Sequence, residues 1–137
     1  MSIPLVTGFY AGLLGLIFFI LTSHVGRVRS RTGISLMDGA NRDLIVAIRR
    51  QGNFAELVPL CLILMAIGEM GRTSVYAIHI AGIVLVICRL IHPFGLYTER
   101  MNTWQRMVGA GGTMIVLVIL SVWTIYLYIM RVMMVGV

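Results

Sequence analysis

A row of polar side chains follows one face of the second apolar segment of the chain. Arg42, Arg49, Asn53 and Glu56 fall within one narrow arc if the segment is helical, because each residue turns an α-helix by about 100°. Guanidinium and amide groups donate hydrogen bonds to carboxylates, and a carboxylate accepts them from an ammonium. The row could therefore line a wet pocket for a small zwitterionic or anionic ligand. Gln51 points toward a different neighbour.

The same row has a structural explanation. Arg49 and Glu56 lie two turns apart and could pair, with the Asn53 amide between them. The pair would offset part of the cost of an ionisable group at membrane depth, which is about 2.5–3.5 kcal/mol on insertion scales. Such a pair would fix helix packing and bind nothing. Since a buried ion pair adds little net stability, we favour the pocket.

A second pair of polar residues stands at the end of the third apolar segment. Arg89 and His92 are three residues apart, and so on one helical face, and Pro93 and Gly95 should end the helix directly afterwards. Arg89 could instead extend to the interface, and His92 could be a solvated loop residue. Both lie at the same membrane end as the polar row. We therefore expect the two groups to share one site.

Four long apolar segments must carry these groups. Of 137 residues, 59% are hydrophobic and 12% are charged, and the mean hydropathy is +0.97. Soluble domains carry about 25% charged residues, so that class is excluded. A spanning helix needs about 20 mainly apolar residues, and the predicted spans cover about 3–23, 44–68, 74–91 and 107–130. The predicted fold is all-α: an integral membrane four-helix bundle forming a single domain over 1–137.

The distribution of arginine predicts the orientation. All 11 basic residues are Arg, against five acidic ones, giving a net charge of +6. Arg72 and Arg131 lie on the side of the termini, and the others lie toward the first and third connections: Arg27, Arg29, Arg31, Arg42, Arg49, Arg50, Arg89, Arg100 and Arg106. The positive-inside rule then predicts cytoplasmic loops at 24–43 and 92–106, with both termini opposite. Membrane lipid, and not nucleic acid, is the partner that this basic charge indicates.

The remaining reactive side chains show no catalytic or metal-binding spacing. Cys61 and Cys88 lie far apart within spans and are expected to be buried and inert. His24, His79 and His92 share no metal-ligand spacing, so no metal site is predicted. His79 is expected to form a hydrogen bond with another helix.

The motif Arg49-x-x-x-Asn53-x-x-Glu56-x-x-Pro59, followed by a leucine-rich span, resembles that of the MAPEG family. These are the membrane-associated proteins in eicosanoid and glutathione metabolism. The fuller string RRQGNFAELVPLCLIL is similar to the bacterial branch, and RLIHPFGL resembles the second characteristic region of the family. The specific part of the resemblance covers about 42–96.

The resemblance implies a homotrimer in a bacterial inner membrane, with glutathione as co-substrate in clefts between subunits. By resemblance, Arg49, Asn53 and Glu56 would hold the glutathione backbone, and Gln51 would reach the ligand of the next subunit. The site residues implied for binding are Arg49, Gln51, Asn53, Glu56, Arg89, Arg27 and Arg29, and those for catalysis are Arg106, with Arg100 as the alternative, and His92.

The resemblance also implies a reaction: a glutathione-dependent membrane transferase or peroxidase acting on lipophilic electrophiles. A free thiol has a pKa of about 8.5, and an Arg near the fourth helix would stabilise the thiolate. This chain has Leu57, His92 and Leu96 where eukaryotic members have Tyr, with Tyr97 one place out of register. A non-catalytic glutathione-binding scaffold is therefore an alternative. A small four-helix exporter is disfavoured, because such proteins carry a carboxylate in the first span and this one has none.

Overall fold

The structure is a computed structural model that describes residues 3–97 and 103–135. It contains α1 (Leu5–Thr32), α2 (Arg42–Met70), α3 (Val75–Ile91), a short 3-10 helix (His92–Gly95) and α4 (Trp104–Val135). All four helical segments, the third counted with the 3-10 helix, are long and apolar enough to cross a membrane. No strand occurs in the described ranges. The predicted all-helical, four-helix fold class is confirmed.

The helices extend beyond the apolar segments from which they were predicted. α1 continues past residue 23 to Thr32, and Gly33 ends it in a left-handed conformation with φ 70°. Arg27, Arg29 and Arg31 therefore lie on the last turns of α1 and not in a loop beginning at residue 24. Arginine is a good helix former. Loss of apolar character marks the edge of the membrane core and does not end the helix, so the connection from α1 to α2 is shorter than predicted.

The core of the bundle is built from all four helices. α1 packs against α2 and α3, and α4 packs against α3 and α2. The buried core residues are Tyr10, Leu14, Phe54, Val58, Cys61, Met65, Ile78, Leu85, Val116 and Leu120. Large apolar side chains also cover the outward faces of the helices. Such a surface suits lipid or another subunit, because it would be unfavourable in water.

Polar contacts tie the helices together at the end of the bundle opposite the predicted cytoplasmic loops. The hydroxyl of Tyr10 on α1 and Nδ1 of His79 on α3 are 2.9 Å apart, at hydrogen-bond distance. The prediction that His79 bonds to another helix is confirmed. Nearby, Glu69 accepts hydrogen bonds from the first turn of α1.

The start of α4 lies very close to the end of α3, and glycine makes this approach possible. A Cβ at Gly109 would lie 2.6 Å from the Cβ of His92 and 2.9 Å from the carbonyl oxygen of Cys88. A Cβ at Gly112 would collide with the sulfur of Cys88, whereas one at Gly111 would meet nothing within 4 Å. Gly109 and Gly112 thus set the distance between the two helices, and so place the first turns of α4 beside His92.

Candidate functional site

A cavity of about 270 Å³ lies where α2, the 3-10 helix and the start of α4 meet. This is the end of the bundle predicted to be cytoplasmic. The lining residues are Ile45, Val46, Arg49, Asn53, His92, Leu96, Tyr97, Arg106 and Ala110. The volume is slightly below the range of about 300–1,000 Å³ typical of small-molecule sites.

Four of the residues predicted from the sequence line this one cavity. Arg49 and Asn53 stand one turn apart on α2, His92 is the first residue of the 3-10 helix, and Arg106 lies in the first turn of α4. Arg49 and Asn53 of the polar row therefore meet His92 at one cavity, as predicted from the sequence. Their roles in binding or catalysis remain predictions.

The cavity is cationic. Its lining contains two arginines, and within the described ranges it contains no carboxylate. Two guanidinium groups around a small, partly apolar cavity attract an anionic ligand, and their planar donors match the geometry of carboxylates.

Other predicted binding residues lie outside the cavity lining. Glu56 is exposed on α2 one turn beyond Asn53, Gln51 is half-buried, and Arg27 is exposed on α1. Arg42, the first residue of α2, is exposed and also lies outside the lining. The alternative catalytic candidate at position 100 lies outside the described residues.

Arg29 is directed to the connection that follows its own helix. Its Nη1 donates to the carbonyl oxygens of Ile34, Ser35 and Met37 at 3.2, 3.1 and 3.0 Å. A single guanidinium nitrogen therefore binds three carbonyl oxygens of the α1–α2 connection. In this arrangement Arg29 holds the loop and does not reach the cavity.

The ion pair offered as a structural explanation of the polar row does not form. Within the described residues Arg49 and Glu56 make no salt bridge with each other, and Asn53 does not bridge them. Instead, the amide oxygen of Asn53 accepts a hydrogen bond from Nη1 of Arg89 at 2.9 Å. The cation that contacts this polar row is Arg89, which lies on α3.

Arg89 is almost completely buried, with 1% of its surface exposed. Its Nη2 donates to the carbonyl oxygen of Gly109 on α4 at 2.6 Å, and its Nε is buried without a hydrogen-bond partner. The side chain does not extend to the interface, and it is not part of the cavity lining. It connects α2, α3 and α4 immediately behind Asn53.

Arg50 has a positional role that the sequence analysis did not assign. Its Nη2 donates to the carbonyl oxygen of Leu96 at 3.0 Å, and its Nε is buried without a partner. The bond links α2 to the chain just after the 3-10 helix, where Leu96 and Tyr97 line the cavity. No spacing rule could have found it, because the acceptor is a backbone group 46 positions away.

Tyr97, one place out of register with a Tyr of the eukaryotic members, lines the cavity with Leu96. Between α3 and these residues the chain forms a 3-10 helix over His92–Gly95. A 3-10 helix has three residues per turn and a longer rise than an α-helix. Alignment with the Tyr positions of eukaryotic members therefore does not decide which side chains line the cavity here. An aromatic residue two positions after Gly95 was the available signal.

Comparison with known proteins gives one consistent result. A model of the MAPEG family matches residues 7–126. The inner membrane protein YecN of Escherichia coli strain K12 is 31% identical over 121 residues, which cover 87% of this chain and 92% of that protein. YecN of Escherichia coli O6:H1 strain CFT073 matches with the same identity and coverage. No solved structure matches the chain.

Proposed function

The chain belongs to the MAPEG family, and from this we propose that it is a glutathione-dependent transferase or peroxidase acting on lipophilic electrophiles. Family membership supports a membrane protein of glutathione or eicosanoid metabolism. Four helical segments able to span a bilayer agree with an integral membrane location. The relative is named an inner membrane protein, and we place this chain in the same membrane. The proposal rests chiefly on one observation: Arg49, Asn53, His92 and Arg106 line a single cavity.

The chemistry of the cavity fits glutathione. This tripeptide carries two carboxylates and one ammonium group. Arg49 would bind a carboxylate through paired N–H donors, as guanidinium groups commonly do. The amide nitrogen of Asn53 would donate to a second acceptor of the ligand, because its oxygen already accepts from Arg89. Ile45 and Val46 add apolar lining on the same wall, suited to the second, lipophilic substrate.

Arg106 is the candidate for stabilising the reactive thiolate. It lines the same cavity as Arg49, from the first turn of α4. A nearby cation stabilises the thiolate of glutathione and so lowers the pKa of the thiol from about 8.5. The thiol proton passes to solvent, the sulfur attacks the electrophilic carbon, and the leaving group departs with the bonding electrons. His92, buried at the cavity, could donate a hydrogen bond to the sulfur.

Assembly into a homotrimer completes the proposal. Glu56 lies mid-helix in an apolar span, is exposed, and lies outside the cavity of its own subunit. A carboxylate facing hydrocarbon is costly, so contact with a neighbouring subunit and its ligand would remove an unfavourable exposure. Gln51, on another face of the same helix, is suited to the same role. We place the cavity on the cytoplasmic side, where glutathione is available and where the Arg-rich end is predicted to lie.

The test measures binding and turnover separately. Purified protein in detergent is titrated with glutathione by calorimetry and then assayed with a chromogenic lipophilic electrophile. Thiolate formation is followed by absorbance on rapid mixing. We expect saturable binding, a thiolate signal and turnover, and Arg72→Ala, at the other end of the molecule, should behave as wild type. Absence of glutathione binding would overturn the proposal.

A second candidate function is a glutathione-binding protein without catalytic activity. It is favoured by Leu57 and Leu96, which bring no hydroxyl to positions where eukaryotic members of the family have Tyr. Saturable binding with neither thiolate nor turnover would select this function. The exporter alternative has no support, because α1 carries no acidic residue.

A further inference from the structure

We propose that Arg89 is a positioning residue of the glutathione site: it orients the amide of Asn53 from behind and does not touch the ligand. The inference rests on the proposed function and assigns a different task to a residue that the sequence analysis placed among the ligand contacts. It is carried by three observations, which are the burial of Arg89, the atom of Asn53 that it binds, and its bond to α4.

The burial of Arg89 separates it from the ligand. Only 1% of the side chain is exposed, and the cavity lining includes Asn53 but not Arg89. A buried guanidinium is costly, and well-packed apolar side chains often stabilise a fold as well or better. Here its Nε is left without a partner. Helix packing alone would be served by leucine or methionine, so the charge indicates a further task.

The bond to Asn53 fixes the direction of the amide. A guanidinium has only donors, so the group of Asn53 that faces Arg89 must be its oxygen. The NH₂ group then points away from Arg89. Because Asn53 lines the cavity, this orientation offers two N–H donors to an anionic or carbonyl group there. Without Arg89 the amide could rotate and present its oxygen instead, which a carboxylate would repel.

The bond to α4 anchors the guanidinium that holds Asn53. Nη2 of Arg89 donates to the carbonyl oxygen of Gly109, which also accepts from the hydroxyl of Thr113 at 2.8 Å. Gly109 lies one turn after Arg106 on the same helix. One side chain therefore holds both Asn53 on α2 and the helix that carries Arg106. Arg89 thereby fixes the position of the Asn53 amide relative to α4.

A double-mutant cycle tests the proposal. The dissociation constant of glutathione is measured by calorimetry for wild type, Arg89→Gln, Asn53→Ala and the double variant. Loss of one hydrogen bond in the site should weaken binding about tenfold in Arg89→Gln. If Arg89 acts through Asn53, the double variant binds no more weakly than Asn53→Ala alone. If the fold-changes in the dissociation constant for Arg89→Gln and Asn53→Ala multiply in the double variant, the two residues act independently and the proposal is overturned.

Arg50→Gln is the matched control. Arg50 is a half-buried arginine on the cavity side, and its bond goes to the carbonyl of Leu96. The factor by which Arg50→Gln raises the dissociation constant of glutathione should multiply with the factor for Asn53→Ala. If neither the effect of Arg89→Gln nor that of Arg50→Gln on the dissociation constant multiplies with that of Asn53→Ala, the coupling reflects general damage to the fold. The proposal is then overturned.

Folding and the parent hypothesis are separated in the same experiment. Where Arg89→Gln does not fold, Arg89→Lys, which keeps the charge and one donor direction, takes its place in the cycle. Where Arg89→Gln does fold, Arg89→Lys should recover part of the affinity that Arg89→Gln loses, and no rescue in a folded Arg89→Lys protein contradicts the positioning role. If wild type itself does not bind glutathione, the proposed function fails and this inference with it. If wild type binds glutathione but the effects of Arg89→Gln and Asn53→Ala on the dissociation constant multiply, only this inference fails.

Discussion

Glu69, at the end of α2, caps the first turn of α1 through Thr7. Its Oε2 accepts from the backbone amide of Thr7 at 2.8 Å and from the Thr7 hydroxyl at 2.7 Å, and Oε1 accepts from the amide of Val6 at 2.9 Å. Pro4, at the N-cap position, provides no side-chain hydrogen bond. A carboxylate from another helix therefore satisfies amides that α1 leaves unpaired, and its charge suits the positive end of the helix dipole.

We predict that Glu69→Ala destabilises the protein by about 1.5–3 kcal/mol, the range for hydrogen bonds to a charged group. Thermal unfolding in detergent, followed by circular dichroism, measures the change. Arg72→Ala, an exposed neighbour, is the control and should unfold at the wild-type temperature. Glutathione affinity should stay within about twofold of wild type, because the cavity lies at the other end of the bundle. An unchanged melting temperature in Glu69→Ala would contradict the capping role.

Gly109→Ala should destabilise the bundle by about 1–3 kcal/mol through overpacking. The added methyl group would press on the Cβ of His92 and the carbonyl of Cys88. Gly111→Ala is a matched control, because a Cβ there meets nothing within 4 Å and alanine favours helix. The two melting temperatures should move in opposite directions. Equal effects would show that the close approach of α3 and α4 does not depend on Gly109.

Arg49→Ala should weaken glutathione binding by about tenfold or more, since it removes a charge-assisted pair to a carboxylate. Arg31→Ala, an exposed arginine at the end of α1, is the control with the same change of charge and should bind as wild type. Calorimetric titration measures both. Equal losses in the two variants would point to general electrostatic attraction in place of a specific contact.

Arg106→Ala should spare glutathione binding and reduce the thiolate. The guanidinium acts on the sulfur, so its removal raises the thiol pKa and shifts the rise in thiolate absorbance to higher pH. A pH series of rapid-mixing experiments at saturating glutathione gives the shift. The opposite pattern, weak binding with an unchanged pH profile, would assign Arg106 to the glutathione backbone.

Tyr97→Phe should lower kcat by about tenfold while leaving KM for glutathione within about twofold, if a phenol donor at the cavity assists the sulfur in the transition state. Tyr97 is the one tyrosine in the cavity lining of the described chain, and Tyr126→Phe, exposed on α4, is the control. Steady-state kinetics with the chromogenic electrophile separates the two constants. An unchanged kcat would exclude the Tyr97 hydroxyl from the chemistry.

The features predicted well from the sequence are those set by short-range rules. Four apolar runs predict four helices because hydrocarbon requires every backbone group to be paired within its segment. The α-helical period alone places Arg49 and Asn53 on one face. The break after the third helix follows from Pro93 and Gly95, and the structure ends α3 at Ile91.

The partners of the arginines could not be predicted from the sequence. Arg89 binds Asn53, which is 36 positions away, and Arg50 binds a carbonyl 46 positions away. Backbone carbonyls occur at every residue, so residue types give no sign of which one accepts. Arg29 was expected near the ligand and instead binds carbonyls five to eight residues further along the chain.

By itself the sequence determined the membrane-spanning helices and the polar face of α2, because hydropathy and helical period act over a few turns and need no knowledge of neighbours. The motif that begins at Arg49 indicated the family by resemblance. Only the tertiary structure decided that His92 and Arg106 join that face around one cavity, and that Arg89 stands behind it as a link between three helices. These relations depend on how closely helices approach. The distance between α3 and α4 depends on Gly109 having no side chain. A Cβ there would meet His92 and Cys88, which are distant in the chain.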